Sequence, residues 1–257
     1  MSGADVDPTA RVHSEARLGE GCVVGARCVI GPEVVMMNGS RCGDGTIVMG
    51  RVRIGEQCAI GAESVIGGAR YELSASAFDC GIEIGDRSIL RECVTINRGC
   101  PPGPGITRVG SDVYLGAGAH VGPDCRIGDH TVIEDEVHLL ESVKIGIGCR
   151  VHEGTSVRGF IQIGDLADVG PNMVLGKDVP PYLRIEGAET PAFVGVNEKQ
   201  LQARKMAPDL IEALGRAYRL LFESDKSWGE AVHELGTWDL EASEFLEFVD
   251  FVREIPG

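Results

Sequence analysis

From Val109 to Val179 apolar residues return at every sixth position. Read in sixes, the stretch begins VGSDVY, LGAGAH, VGPDCR, IGDHTV and runs on to LGKDVP, which starts at Leu175. The first position of each hexad is Val, Ile or Leu, and the second is mostly Gly. The fifth is usually small or β-branched, as at Val113, Ala119, Cys125, Thr131, Val137, Val143, Cys149, Thr155 and Ala167. A period of six fits neither the two-residue alternation of a flat strand nor the 3.6-residue turn of a helix. It is the mark of a parallel β-helix, in which each hexad supplies one short strand and one turn. The same beat runs from Val12 to Gly67 and resumes at Ile84. If three hexads close one triangular coil, side chains three hexads apart stack vertically. About eight such coils at ~4.8 Å per layer make a prism roughly 40 Å long.

Two stretches leave the beat, and both read as external loops. Residues 68–83 contain charge and the aromatics Tyr71 and Phe78, and residues 98–108 are rich in Pro and Gly. Excursions of this length from a regular solenoid are often functional. Pro180-Pro181 reads as the end of the solenoid, because proline cannot donate to a central ladder. A linker is expected over 183–196. Helical periodicity follows at Asp209–Phe222, Ser227–Leu235 and Leu240–Arg253, with Leu210, Ile211, Leu214, Ala217, Tyr218 and Leu221 on one face of the first. The expected organisation is therefore a β-helix over residues 1–182 and a small α-helical domain over 183–257. The helical domain would cover the solenoid's open edge.

Composition sharpens this picture. The 36 glycines and 5% aromatics among 257 residues suit tight turns around a narrow interior. A net charge of −15 argues against nucleic acid and against anionic lipid surfaces. Any anion site would have to be local, from Arg87, Arg91, Arg98, Arg108, Arg150 or Arg158. Cys22, Cys28, Cys58, Cys125 and Cys149 fall on the fifth position and read as small core residues, with no disulfide framework. Neither a run long enough to span a membrane nor a secretory signal is visible, so a cytoplasmic protein is expected, with no membrane insertion.

Particular segments then carry a resemblance. Ile84–Gly99 reads IGDRSILRECVTINRG and Gly105–Asp112 reads GITRVGSD. Pro180-Pro181-Tyr182, Pro191–Asn197 (PAFVGVN) and Ala217–Phe222 (AYRLLF) follow. Together with the hexads and the helical C-terminal part, these resemble the UDP-N-acetylglucosamine O-acyltransferase family of lipid A synthesis along almost the whole chain. The resemblance implies an all-β left-handed parallel β-helix with hexapeptide repeats, and a homotrimer with active sites between subunits. It implies acyl-carrier protein delivering a 3-hydroxyacyl thioester, a nucleotide sugar as acceptor, and a histidine base. No cofactor and no resident metal is implied.

The chain departs from that family where the chemistry occurs. The family motif is Ala-His-x-x-His-Asp-Cys, with the second His as base. Here Ala119–Cys125 places Pro123 at that position, and proline cannot accept a proton. Ser142 and Arg158 stand where the family has cleft histidines. Glu72 keeps one acid of the first-loop pair, whose lysine is missing. Asn197 and Arg204 keep part of the nucleotide side, while Lys199 replaces an acid. The candidate catalytic residues are then His120 and Asp124, and the candidate substrate-binding residues are His138, Ser142, Arg158, Glu72, Asn197 and Arg204. His120 and His138 should stack, one coil apart. Two histidines fall short of the three that a hexapeptide carbonic anhydrase uses for zinc. His152 reads as a solvated turn residue and Glu134–Glu136 as an exposed edge. Two functions compete with a metal-dependent hydratase or hydrolase far behind. One is an acyltransferase with a non-standard active site, the other a catalytically inactive homologue that binds a nucleotide sugar or acyl-carrier protein.

Overall fold

A computed structural model describes residues 3–68, 80–101 and 103–255. Among the described residues, short strands, all parallel except the last, stack into three sheets of eleven, nine and eight strands, here the first, second and third faces of a triangular prism. Val132 pairs with Arg150 on the first face, His120 with His138 on the second, and Arg126 with Lys144 on the third. Each pair is separated by three hexads, so the predicted coil is observed. Both the first and the fifth positions point inward: Leu115, Val121, Ile133, Ala119, Cys125 and Val137 belong to one continuous buried core.

Two backbone features explain the hexad consensus. The glycine at the second position answers to coil stacking. A Cβ on Gly122 would sit 2.7 Å from the Leu140 carbonyl carbon of the next coil, closer than real Cβ atoms approach. The left-handed residue is the fourth, with φ of 55° at Asp112, 61° at Asp124 and 58° at Ser142. Asp and Asn are among the residues that tolerate this region best.

The fifth position carries a hydrogen-bond rule that hydrophobicity does not reveal. Thr131 Oγ1 donates to Gly146 O at 2.8 Å and Thr155 Oγ1 to Gly170 O at 2.8 Å. Cys125 Sγ donates to Leu140 O at 2.8 Å and Cys149 Sγ to Gly164 O at 3.0 Å. Burial pushes the Cys125 and Cys149 thiols up to about 12, so they remain protonated donors. No disulfide joins the cysteines among the described residues.

The loops are shorter than the broken pattern suggests. Strand Gly81–Ile84 begins inside the first predicted excursion and strand Ile106–Val109 inside the second. Both excursions leave at the corner between the second and third faces. The predicted linker is also corrected. Leu183–Glu186 adds a parallel strand to the first face beyond Asp168–Val169, and Ala192–Val196 returns antiparallel beside it. Pro180-Pro181 thus interrupts the ladder for one turn without ending it.

Four helices follow: α1 (Glu198–Ala203), α2 (Pro208–Phe222), α3 (Trp228–Leu235) and α4 (Ser243–Glu254). α2 buries Leu210, Ile211, Leu214, Ala217 and Leu221, as its periodicity requires. Ser227 closes a capping box with Glu230 at the start of α3. The helices share a second core with Tyr182 and Leu183. Tyr182 also donates its hydroxyl to Glu247 of α4 at 2.6 Å.

Candidate active site

His120 occupies the second face, next to the corner from which both loops emerge. Its strand neighbours are Thr95 below and His138 above. The ring is fixed by a 2.7 Å hydrogen bond between Nδ1 and Thr95 Oγ1, and its centroid lies 6.1 Å from that of His138. Burial, and secondarily the charge of His138, hold His120 below the ordinary histidine value. It is therefore neutral near pH 7. In the tautomer whose Nδ1–H donates to Thr95 Oγ1, the Nε2 lone pair is free to accept a proton.

Three residues further on, the chain turns at Pro123. This residue is buried within its own chain, and its carbonyl accepts the Ser142 N–H at 2.9 Å. Asp124 is 6% exposed and committed to the second loop. Oδ2 accepts Cys100 N–H at 3.0 Å, Oδ1 accepts Gly105 N–H at 2.8 Å, and its own N–H donates to Thr107 Oγ1 at 2.9 Å. The carboxylate sequence reasoning offered as a catalytic partner of His120 thus clasps the loop base and has no bond to His120. A buried Asp whose oxygens both accept loop N–H groups is a structural anchor. Nothing in the local pattern announced it, because its partners lie 19 and 24 residues away.

The other candidates divide into two groups. His138, Ser142 and Arg158 lie on the same face or corner as His120. Around them Leu140, Phe160 and Val174 leave apolar side chains exposed, Phe160 to 70%. Asn197 and Arg204 lie elsewhere, beyond the corner between the third and first faces. Asn197 is buried and donates through Nδ2 to Leu166 O at 2.9 Å and Gln200 Oε1 at 2.7 Å, which docks α1 on the prism. Arg204 lines a cavity of about 730 Å³ with Ile147, Leu166, Tyr182 and Met206. One chain therefore does not bring Asn197 or Arg204 to His120. Glu72 lies outside the described residues.

No basic pocket forms from the arginines paired here. Arg87 holds Asp112, Arg91 holds Glu92, Arg108 holds Glu83 and Arg150 holds Glu134.

This three-faced hexapeptide prism with a helical end defines a left-handed parallel β-helix protein. A family model for bacterial transferase hexapeptide repeats matches residues 106–140, and one for domain 2 of UDP-N-acetylglucosamine O-acyltransferase matches 178–255. An acyl-[acyl-carrier-protein]–UDP-N-acetylglucosamine O-acyltransferase from Burkholderia mallei is 32% identical over 174 residues. That alignment spans 65% of this chain and 66% of the relative's length, just short of two thirds. The solved UDP-N-acetylglucosamine acyltransferase from Bacteroides fragilis superimposes with a TM-score of 0.92 at 27% identity, over 97% of both chains. LpxA from Acinetobacter baumannii gives 0.92 at 25% identity, over 98% of this chain and 97% of that one. The chain is thus similar over nearly its whole length to UDP-N-acetylglucosamine O-acyltransferases, and its residues 178–255 match domain 2 of that family.

Proposed function

We propose that the protein transfers an acyl group from an acyl-carrier-protein thioester to a UDP-amino sugar or a related nucleotide sugar, with His120 as general base. The relatives named above carry out, by their names, the corresponding reaction. The observation that carries the reading for this chain is His120 itself. It is half-buried, held neutral, oriented by Thr95 and adjacent to the turn where the family base would stand. In the reaction the acceptor hydroxyl or amine attacks the thioester carbonyl while His120 takes its proton. The tetrahedral adduct then expels the carrier thiolate, which recovers the proton from the imidazolium. An amine acceptor needs less help from a base than a hydroxyl, which fits a site without the usual histidine.

The separation of Asn197 and Arg204 from His120 supports a homotrimer, in which a neighbouring copy supplies the nucleotide side. No helix among the described residues is long and apolar enough to cross a membrane, which fits work in the cytoplasm on carrier-bound substrate. The test is turnover with UDP-N-acetylglucosamine and UDP-amino sugars against 3-hydroxyacyl carrier thioesters of several lengths. We expect turnover with at least one pair, and a fall in kcat of about 10²–10⁴ in His120→Gln. A second reading rests on the burial of Pro123 and the commitment of Asp124. Under it the chain is a catalytically inactive homologue that binds nucleotide sugar or acyl-carrier protein. Binding by calorimetry with no turnover across the panel would replace the first reading with this one.

A further inference from the structure

Glu134 and His152 are one coil apart at the corner between the first and second faces, so the prism sets one over the other. His152 Nδ1 lies 3.1 Å from Glu134 Oε2, and Nε2 lies 3.0 Å from Asp168 Oδ1. Glu153 adds a third group: the donor atoms of Glu134, His152 and Glu153 all lie within 4.8 Å of one another.

Three features set this cluster apart from a surface ion pair. A neutral imidazole has one N–H for two carboxylates, so one nitrogen lone pair faces carboxylate oxygen unless a proton or a cation intervenes. The Glu153 backbone N–H donates to Glu134 Oε2 at 3.3 Å, and the two carboxylates lie within 4.8 Å of each other, an arrangement that like charge disfavours unless a proton or cation is shared. Arg150 does not fill that role at the shared edge, because it holds Glu134 through the other oxygen, Oε1, at 2.8 Å. Finally, a carboxylate on the far nitrogen is how proteins commonly orient a metal-binding imidazole, and Asp168 stands there. His152 and Asp168 also line a cavity of about 920 Å³ together with Arg184, Asn197 and Lys199.

We propose that Glu134, His152 and Glu153 bind a divalent first-row metal ion, with Asp168 orienting the imidazole through Nε2–H. One nitrogen and two carboxylate oxygens suit zinc or manganese better than magnesium or calcium, which prefer all-oxygen sites. Three protein donors leave coordination positions for water or a ligand oxygen. The sequence reading expected no metal and placed His152 in a solvated turn. The site arises because residues one coil apart become neighbours.

The test uses full-length protein stripped with chelator, titrated calorimetrically with zinc chloride and with magnesium chloride as control, and analysed for bound metal after gel filtration. We expect one zinc per chain, a rise in Tm with zinc by mass action, and no comparable response to magnesium. His152→Ala and Glu153→Gln should lose the zinc, the second at an exposed position where folding is not at risk. Asp168→Asn should weaken it by about 10–100-fold. A His120→Ala/His138→Ala double variant should keep it. Zinc binding that is absent, that persists in both His152→Ala and Glu153→Gln, or that vanishes with His120 and His138 overturns the proposal. The cluster is then an ion-pair network around an imidazolium.

Discussion

At the scale of single residues, His120 and Asp124 show how one motif divides its labour. His120 keeps a lowered proton affinity because it is half-buried beside a second imidazole. Its folded value lies below its unfolded value, so the unfolded chain binds more protons between the two. Stability is therefore present above the ordinary histidine value and falls as pH drops through the folded value. Denaturant melts between pH 7 and pH 5 should show this loss, and His120→Gln should flatten that part of the curve. If His120 is the base, kcat should rise with pH on a limb centred below about 6.5. Substituting His138 by Gln should move that limb upward, because a neighbouring positive charge is removed. Asp124→Asn places an amide N–H₂ against one loop N–H. We expect a loss of about 1–3 kcal/mol and faster hydrogen exchange at Cys100 and Gly105. An unchanged exchange rate there would remove the clasp assignment.

At the scale of the element, each hexad is one strand, one left-handed turn and one inward donor or methyl group. The first and fifth positions were readable as core from their periodicity alone. The hydrogen bond from the fifth position was not, because Thr, Cys, Val and Ala share that slot and a small volume is all they have in common. Thr131→Val tests the distinction, since it keeps the volume and deletes the hydroxyl. The change leaves the part-buried Gly146 carbonyl without its donor and Cys149 N–H without the Thr131 oxygen at 3.2 Å. A cost of about 1–3 kcal/mol in denaturant unfolding is expected, whereas a value near zero would mean that only volume matters at this position. The helical elements were legible in their buried faces, and α1 was missed. It is only six residues long and buries only Leu201, too little for a periodicity to register.

At the scale of the whole molecule, the loops, His120, Ser142 and Arg158 gather on one corner region, and Asn197 and Arg204 at another. A site made from both needs more than one copy. Light scattering should therefore give about three times the chain mass of 27.3 kDa. Mixing inactive His120→Gln chains with Arg204→Ala chains should restore part of the activity in mixed trimers. A monodisperse monomer with full turnover would defeat this arrangement. At the other end, the hairpin of Leu183–Glu186 and Ala192–Val196 extends the first face, and the helices cover what it leaves. Tyr182 and Glu247 join the two layers, and burial raises the proton affinity of both groups.

The six-residue period determined the coil, its three faces and the inward positions, since these follow from local strand and turn geometry repeated along the chain. The resemblance to the family motif located the departure at Pro123, because a missing proton acceptor is a property of one side chain. Only the tertiary structure decided that Asp124 anchors a loop, that 183–196 forms strands, and that Glu134, His152, Glu153 and Asp168 meet. Each of these depends on which residues become neighbours across coils, and insertions between hexads shift that pairing in ways no local pattern records.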